Sequence, residues 1–311
     1  KTIIAASIAA VVAAPAAFAD LKVSGAALVE VINDSASSDG LENDSAFDVN
    51  FSATEDLGNG MKAMAKISLQ SDYDDTTAVG RNDQYVGLSG DFGTIITGKI
   101  EGLTESKVSA MASVDSSENL GIEPGRSSDR AGKDTVAVAY TSPSMSGLSV
   151  SVAGFIDDTD AAPANDKNFD STDVMVQYSN GPLLVRLGMT DYADVNAGVS
   201  GEEVTAIGVN YKMNDITLIA VHQDRDNVAG AANDDRDGWM VGAKTSMGSN
   251  SFGLGYMEED ASANGATENK YWIVDAAHNL SKSTKVFATY RDDDEAGTTS
   301  SNFAVGMSKS F

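Results

Sequence analysis

Apolar residues fall at every second position through much of this chain. Between Met61 and Gln70, the residues Met61, Ala63, Ala65, Ile67 and Leu69 are all apolar, and Lys62, Lys66, Ser68 and Gln70 between them are polar. A period of two puts one set on each face of a β-strand, one greasy and one wet. The pattern recurs. In 21–32, Leu21, Val23, Ala27, Val29 and Val31 oppose Lys22, Ser24 and Glu30. In 47–54, Phe47, Val49, Phe51 and Ala53 oppose Asp48, Asn50, Ser52 and Thr54. Residues 173–178 and 183–190 repeat it, and near the end Phe303, Val305, Met307 and Phe311 share a face.

The connections between these segments alternate in length. Short ones fall at 58–60, 90–91, 142–146, 179–182, 214–215, 248–251 and 280–283; long acidic ones fall at 33–45, 71–82, 101–133, 157–172, 191–203, 224–236, 258–269 and 292–301. Seven turns and eight loops join sixteen strands of roughly ten residues, an even number and a length that crosses a bilayer when tilted. An open sheet of that size would expose two unpaired edges and an apolar face. In lipid every backbone group must be paired within the protein, so the sheet closes on itself. The expectation is an all-β, transmembrane antiparallel 16-stranded β-barrel, with short periplasmic turns, long extracellular loops, apolar side chains outward and a wet lumen. A secreted β-sandwich would bury its apolar faces between two sheets and leaves the short/long rhythm without a cause.

Residues 1–19 break the rhythm. Lys1 precedes an apolar run from Ile3 to Ala14, then Pro15 and Ala17-Phe18-Ala19 before Asp20. That is the layout of a cleavable signal peptide, and the run is too short to span a bilayer as a helix. The expectation is an exported chain with a single barrel domain over 20–311.

Composition narrows the chemistry. The 311 residues carry 46 acidic and 21 basic side chains, a net charge of −25, or −26 without Lys1. Such acidity argues against nucleic-acid binding. The chain has no Cys and two isolated histidines, His222 and His278, so thiolate and His-rich metal sites are not expected. No nucleophile motif or phosphate loop is present, and an enzyme is not expected. Acidic runs at 157–160, 224–226, 234–237 and 292–295 are read as a solvated rim. Ca²⁺ there is the one metal the sequence allows; no other cofactor is expected. Trp239, Trp272, Tyr256, Tyr271 and Tyr290 fall near strand ends, as interfacial girdles do.

Several segments resemble the general porins of Gram-negative outer membranes. Thr54–Ala63, reading TEDLGNGMKA, resembles a hairpin of that family; so do Tyr85–Leu88 with Gly90–Thr94, Arg130–Pro143 with Gly147-Leu148, Asn279–Thr284, and the last strand from Phe303 to the terminal Phe311. The segments occur in family order along the whole chain after residue 19. His278 and Ser283 depart from the pattern around the 279–284 turn, and Thr141 stands where some relatives carry a basic residue. The resemblance implies a homotrimeric outer-membrane diffusion channel embedded in lipid and lipopolysaccharide. Its third loop would fold into the lumen, with acidic residues facing basic ones on the wall. Phe311 would be the terminal aromatic of the closing strand.

The third loop, 101–133, is the longest connection, and long loops usually carry function. Its acidic candidates are Glu101, Glu105, Asp115, Glu118, Glu123 and Asp129. Candidate wall cations are Lys22, Lys62 and Lys66, placed inward by alternation, with Arg81, Lys99 and Arg130. Lys99 is assigned by its likeness to a basic residue of the family. More acid than base in the loop points to weak-to-moderate cation selectivity. The alternative is a solute-specific channel with a binding site in the lumen.

Overall fold

The computed structural model describes residues 20–35, 40–72, 80–117, 120–122, 124, 136–156, 169–192, 201–228, 234–260 and 267–311. Sixteen strands form one closed barrel in which each pairs with its sequence neighbours and the last pairs with the first. They are β1 (Asp20–Asp34), β2 (Leu41–Gly58), β3 (Met61–Asp72), β4 (Gly80–Gly90), β5 (Gly93–Lys99), β6 (Val136–Thr141), β7 (Leu148–Ile156) and β8 (Ser171–Asn180). The second half holds β9 (Leu183–Tyr192), β10 (Glu203–Met213), β11 (Ile216–Asp226), β12 (Arg236–Met247), β13 (Asn250–Asp260), β14 (Glu268–Ser281), β15 (Thr284–Glu295) and β16 (Thr298–Ser310). The expected strand number, antiparallel order and closure are all present.

The outer surface is apolar because alternation puts it there. Val23, Val29, Phe51, Ile67, Val86, Val138, Leu218, Leu254, Val274 and Val305 are all exposed, the arrangement of a lipid-facing band. On the loop side, Trp239, Tyr256 and Trp272 stack with ring centroids 5.4 and 4.4 Å apart. Phe311 closes the seam. Its N–H donates to Gly25 O at 3.0 Å, the Gly25 N–H returns a bond to Phe311 O at 3.1 Å, and its ring lies 6.2 Å from that of Phe47. A side chain on Gly25 would meet both the Asp48 carbonyl and the Phe311 ring.

Two expectations change. The eighth long connection, 292–301, is a two-residue turn: β15 continues to Glu295 and β16 starts at Thr298. Ala296 (φ 50°) and Gly297 (φ 86°) take the two left-handed positions of a tight hairpin. Acidic residues there are part of the ladder, because strands run on past the bilayer into water, where polar side chains suit both faces. For the same reason β2 extends over eighteen residues, and β11, β13 and β14 extend into segments expected as loop. Second, the lumen wall is not uniformly wet. Ile219, Val221, Met240, Met257 and Ile273 are buried on the inner face, packed in one cluster with Met111, Ala112, Val114 and Ile122. What covers them is the third loop.

Candidate functional site: a loop seated inside the barrel

After β5 the chain passes Ile100 and turns into the barrel. A π-helical turn, Thr104–Val108, is followed by a 3₁₀ turn, Ser109–Ala112. Small residues permit this tight winding, and in the sequence SAMA the one large side chain, Met111, packs into the wall against Gly208. The segment then travels around the inner face strand by strand. Leu103 packs against the cluster of Ala137, Ala139, Ala153 and Phe155 on β6 and β7. Val108 packs against Met175 of β8 and Ala206 of β10. Met111 and Val114 reach β11 to β13, and Leu120 ends against Ile32 of β1 and Ala304 of β16.

Polar groups fasten the loop at intervals. The Leu103 N–H donates to the Asp173 carboxylate of β8. Thr190 of β9 donates to Thr104 Oγ1 at 2.9 Å. Arg186 of β9 donates to Lys107 O at 2.7 Å and to Gln177 at 2.8 Å. Ser109 donates to Gln223 of β11 at 2.7 Å. Lys244 Nζ of β12 donates to Ser113 O at 3.2 Å. The Ser116 N–H and hydroxyl each donate to Asp275 of β14 at 3.2 Å, and Thr289 of β15 donates to the same carboxylate at 2.8 Å. The bonds at Thr104, Ser109 and Asp275 satisfy groups that would otherwise be buried unpaired, and those from Arg186 and Lys244 add exposed ties to loop carbonyls.

The wall is shaped to receive the loop. A Cβ on Gly188 would lie 2.7 Å from Thr104, one on Gly208 2.7 Å from the Met111 sulfur, and one on Gly242 2.6 Å from Val114. On Gly253 it would sit 1.8 Å from the Val114 carbonyl oxygen, and on Gly255 2.9 Å from Ile122. These in-strand glycines form a track across β9 to β13. The sequence signal was present, as glycine inside a strand marks close approach of another chain segment. A second signal was the two-sided apolar pattern of β11, where Ile216, Leu218 and Ala220 alternate with Ile219 and Val221.

The expected charged residues divide. On the loop, Glu105 and Lys107 are exposed, while Glu101 and Asp115 are half-buried. Glu118, Glu123, Asp129 and Arg130 lie outside the described residues, and Arg81 is described in its backbone only, opposite Leu69. Lys22 and Lys66 share one inward row, Lys22–Ser52–Lys66–Tyr85, two strands apart on the arc the described loop does not cover. Lys66 is paired with Asp83 of β4 at 2.6 Å. Lys62 lies lower, opposite Asp56 and beside the turn. Lys99 is a correction. Its row runs Ile67–Gln84–Lys99–Val136–Ile156, and Ile67, Val136 and Ile156 are exposed outward. Ladder pairing fixes this: Gly98 (φ 137°) interrupts regular strand geometry just before it, but Lys99 pairs with Gln84 and Val136 of that row.

The wall also holds cations that were not among the candidates. Lys212, Lys244 and Lys285 line a cavity of about 360 Å³ under Val114, Asp115 and Ser116, together with Asp215 and Asp275. Nearer the loop end, Arg225 forms a buried ion pair with Glu202, donating through Nε at 2.9 Å. Among the described residues no group of three or more carboxylates or imidazoles converges as a metal site.

A closed sixteen-stranded barrel with a loop lodged in its lumen is the architecture of an outer-membrane porin, and comparison with known proteins agrees. The chain belongs to the Gram-negative porin family, whose model matches residues 5–298, and it is an outer-membrane protein. It is 30% identical over 172 residues to the major outer membrane protein P.IA of Neisseria meningitidis serogroup C, covering 53% of this chain and 39% of that protein. The major outer membrane protein P.IB of a serogroup B strain is 27% identical over 141 residues, 45% of this chain and 40% of that one. These matches thus span about two fifths of the relatives' length. Among solved structures, the anion-selective porin from Comamonas acidovorans superposes with a TM-score of 0.77 at 18% identity, covering 94% of this chain and all of that one. Salmonella typhi OmpF, solved in complex with daunomycin, gives 0.76 at 14% identity over 94% and 97%. At these identities the structures share the fold.

Proposed function

We propose that the chain is a passive diffusion channel for small hydrophilic solutes and ions, with weak-to-moderate cation preference. The observation that carries this reading is the third loop pinned along the inner wall of a closed barrel, from β6 round to β16. The described part of the loop narrows the lumen and stands away from the arc bearing Lys22 and Lys62. Charge around a narrow wet passage sorts ions by sign, and low-dielectric walls focus that field. The overall charge of −25 and the excess of carboxylates at the loop side favour cations. The activity requires no catalytic residue.

The same reading takes the functional form to be a homotrimer in lipid and lipopolysaccharide, with residues 1–19 removed on export. It leaves Ca²⁺ at the acidic rim as a secondary proposal, tested by calorimetric titration of the metal-free protein.

Reconstitution into a planar bilayer tests the channel and its selectivity together. Discrete conductance steps are expected, with a zero-current potential in a KCl gradient of the sign for cation preference. Deleting 109–125 removes the seated segment and raises the step size. Anion preference would overturn the selectivity, and unchanged steps after the deletion would overturn the constriction.

A further inference from the structure

Charge in the lumen is sorted along the barrel axis as well as across it. Six inward cations stand within three residues of the turn ends of their strands. Lys212, Lys244 and Lys285 lie on β10, β12 and β15, Lys22 and Lys62 on β1 and β3, and Arg186 on β9. Their facing follows from register: Lys212 pairs with Thr217 and Thr217 with Lys244, one row from the exposed, outward Tyr211 and Leu218. The first three line one cavity. On the described strands, the inward carboxylates at that level are Asp20 and Asp56, and Asp115, Asp215 and Asp275 line the cavity beside the three lysines, so the excess of cations in the zone is carried by the six together.

Nine or more residues from the turn ends the sign reverses. Glu30, Asp48, Glu259, Asp293 and Glu295 point inward there, on β1, β2, β13 and β15. Among the described side chains at that level, the cations Arg225 and Arg236 are each held by a further carboxylate, Glu202 and Asp234, while Arg291, two residues nearer the turn, pairs with Asp293. Six residues of strand separate the two zones, about 20 Å along the strand at about 3.3 Å per residue and about 15 Å along the axis of a barrel whose strands tilt by about 40°. The Debye length is about 10 Å in 0.1 M salt and about 3 Å in 1 M. The zones are therefore electrically distinct at low salt and screened at high salt.

We propose that this axial step, basic at the turn side and acidic at the loop side, makes the pore a rectifier, with Lys212, Lys244 and Lys285 as its principal cationic residues. The inference rests on the channel reading. With the loop side positive, cations enter through the zone that attracts cations and anions through the zone that attracts anions, so both carriers accumulate and current is high. With the opposite polarity both are depleted. The pore thereby favours net cation flow from the loop side to the turn side.

The test is a current–voltage curve on channels inserted in one orientation, at 0.1 M and 1 M KCl. The expected ratio of currents at opposite polarity is about twofold at 0.1 M, larger with the loop side positive, falling towards one at 1 M. The triple variant Lys212→Gln, Lys244→Gln, Lys285→Gln should lose most of the asymmetry; discrete conductance steps at 1 M, whatever their size, show that the barrel has folded, since Lys244 also holds the Ser113 carbonyl. Arginine at the three positions should retain the asymmetry. Steps with a symmetric curve at 0.1 M would overturn rectification and leave the channel reading intact. A rectifier of unchanged ratio in the glutamine variant would overturn the assignment to these lysines. Absence of any step would instead count against the channel reading.

Discussion

Gly253 shows how much one position decides. It lies in the inward row between Lys244 and Asp275, and any Cβ there would fall inside the Val114 carbonyl. Backbone on both sides makes the clash rigid. We predict that Gly253→Val detaches the 113–116 segment, at a cost typical of overpacking, about 1–3 kcal/mol, while the barrel still closes through its backbone ladder. Single-channel recording should show the uniform step broaden into a distribution; an unchanged, narrow step would refute the seating. Lys99 makes the opposite point. Likeness to a family motif put it in the lumen, and its ladder partners on β4 and β6 put it in the outward row. The pairing of Lys99 with Gln84 and Val136 carries that assignment past Gly98, whose φ of 137° departs from strand geometry.

At the scale of elements, strands and turns were legible because they are local. Asn59-Gly60, with φ 51° and 76°, announces its turn in two residues. The long connections were legible as polar but not as finite in length, since an acidic run above the membrane suits strand and loop alike. The β11–β12 connection illustrates what holds such an end. Asp234 accepts a bidentate bond from Arg236 at 2.8 and 2.7 Å. That bond holds its carboxyl below the ordinary value of 3.8. A carboxylate with a depressed pKa contributes stability above its unfolded value and loses it as the pH falls through the folded one. The Arg236 latch should thus be intact at pH 7 and at pH 5 and open only below about 3.8. Carboxyl NMR chemical shifts of Asp234 followed from pH 6 to 2 check this, and an Arg236→Gln variant should return the midpoint to the ordinary value. The contribution is small, as the pair is partly exposed.

For the whole molecule, the two faces of the wall obey different solvents. Leu254 is 49% exposed on the outer face, four residues from the turn end of β13, within the hydrocarbon depth. Leu254→Arg should cost about 2–4 kcal/mol in bilayer refolding, as a cation there meets lipid. Ser24→Arg, in the wet lumen, should cost much less. Equal penalties, read from urea titration in vesicles, would contradict the assignment of faces.

Alternation alone determined the barrel: strand number, the face each side chain takes, and the closure that lipid enforces on an unpaired edge. Those properties depend on neighbours two residues apart, so a single chain displays them. The seat of the third loop did not follow from such neighbours. Ser116 and Asp275 are 159 residues apart, and Gly188, Gly208, Gly242 and Gly253 form a track only when register aligns their strands. Tertiary structure also decided the height of each charge, because period two fixes a face and says nothing of distance from the turn. That is why Lys212, Lys244 and Lys285 read as scattered lysines along the chain and as one cationic zone in the pore.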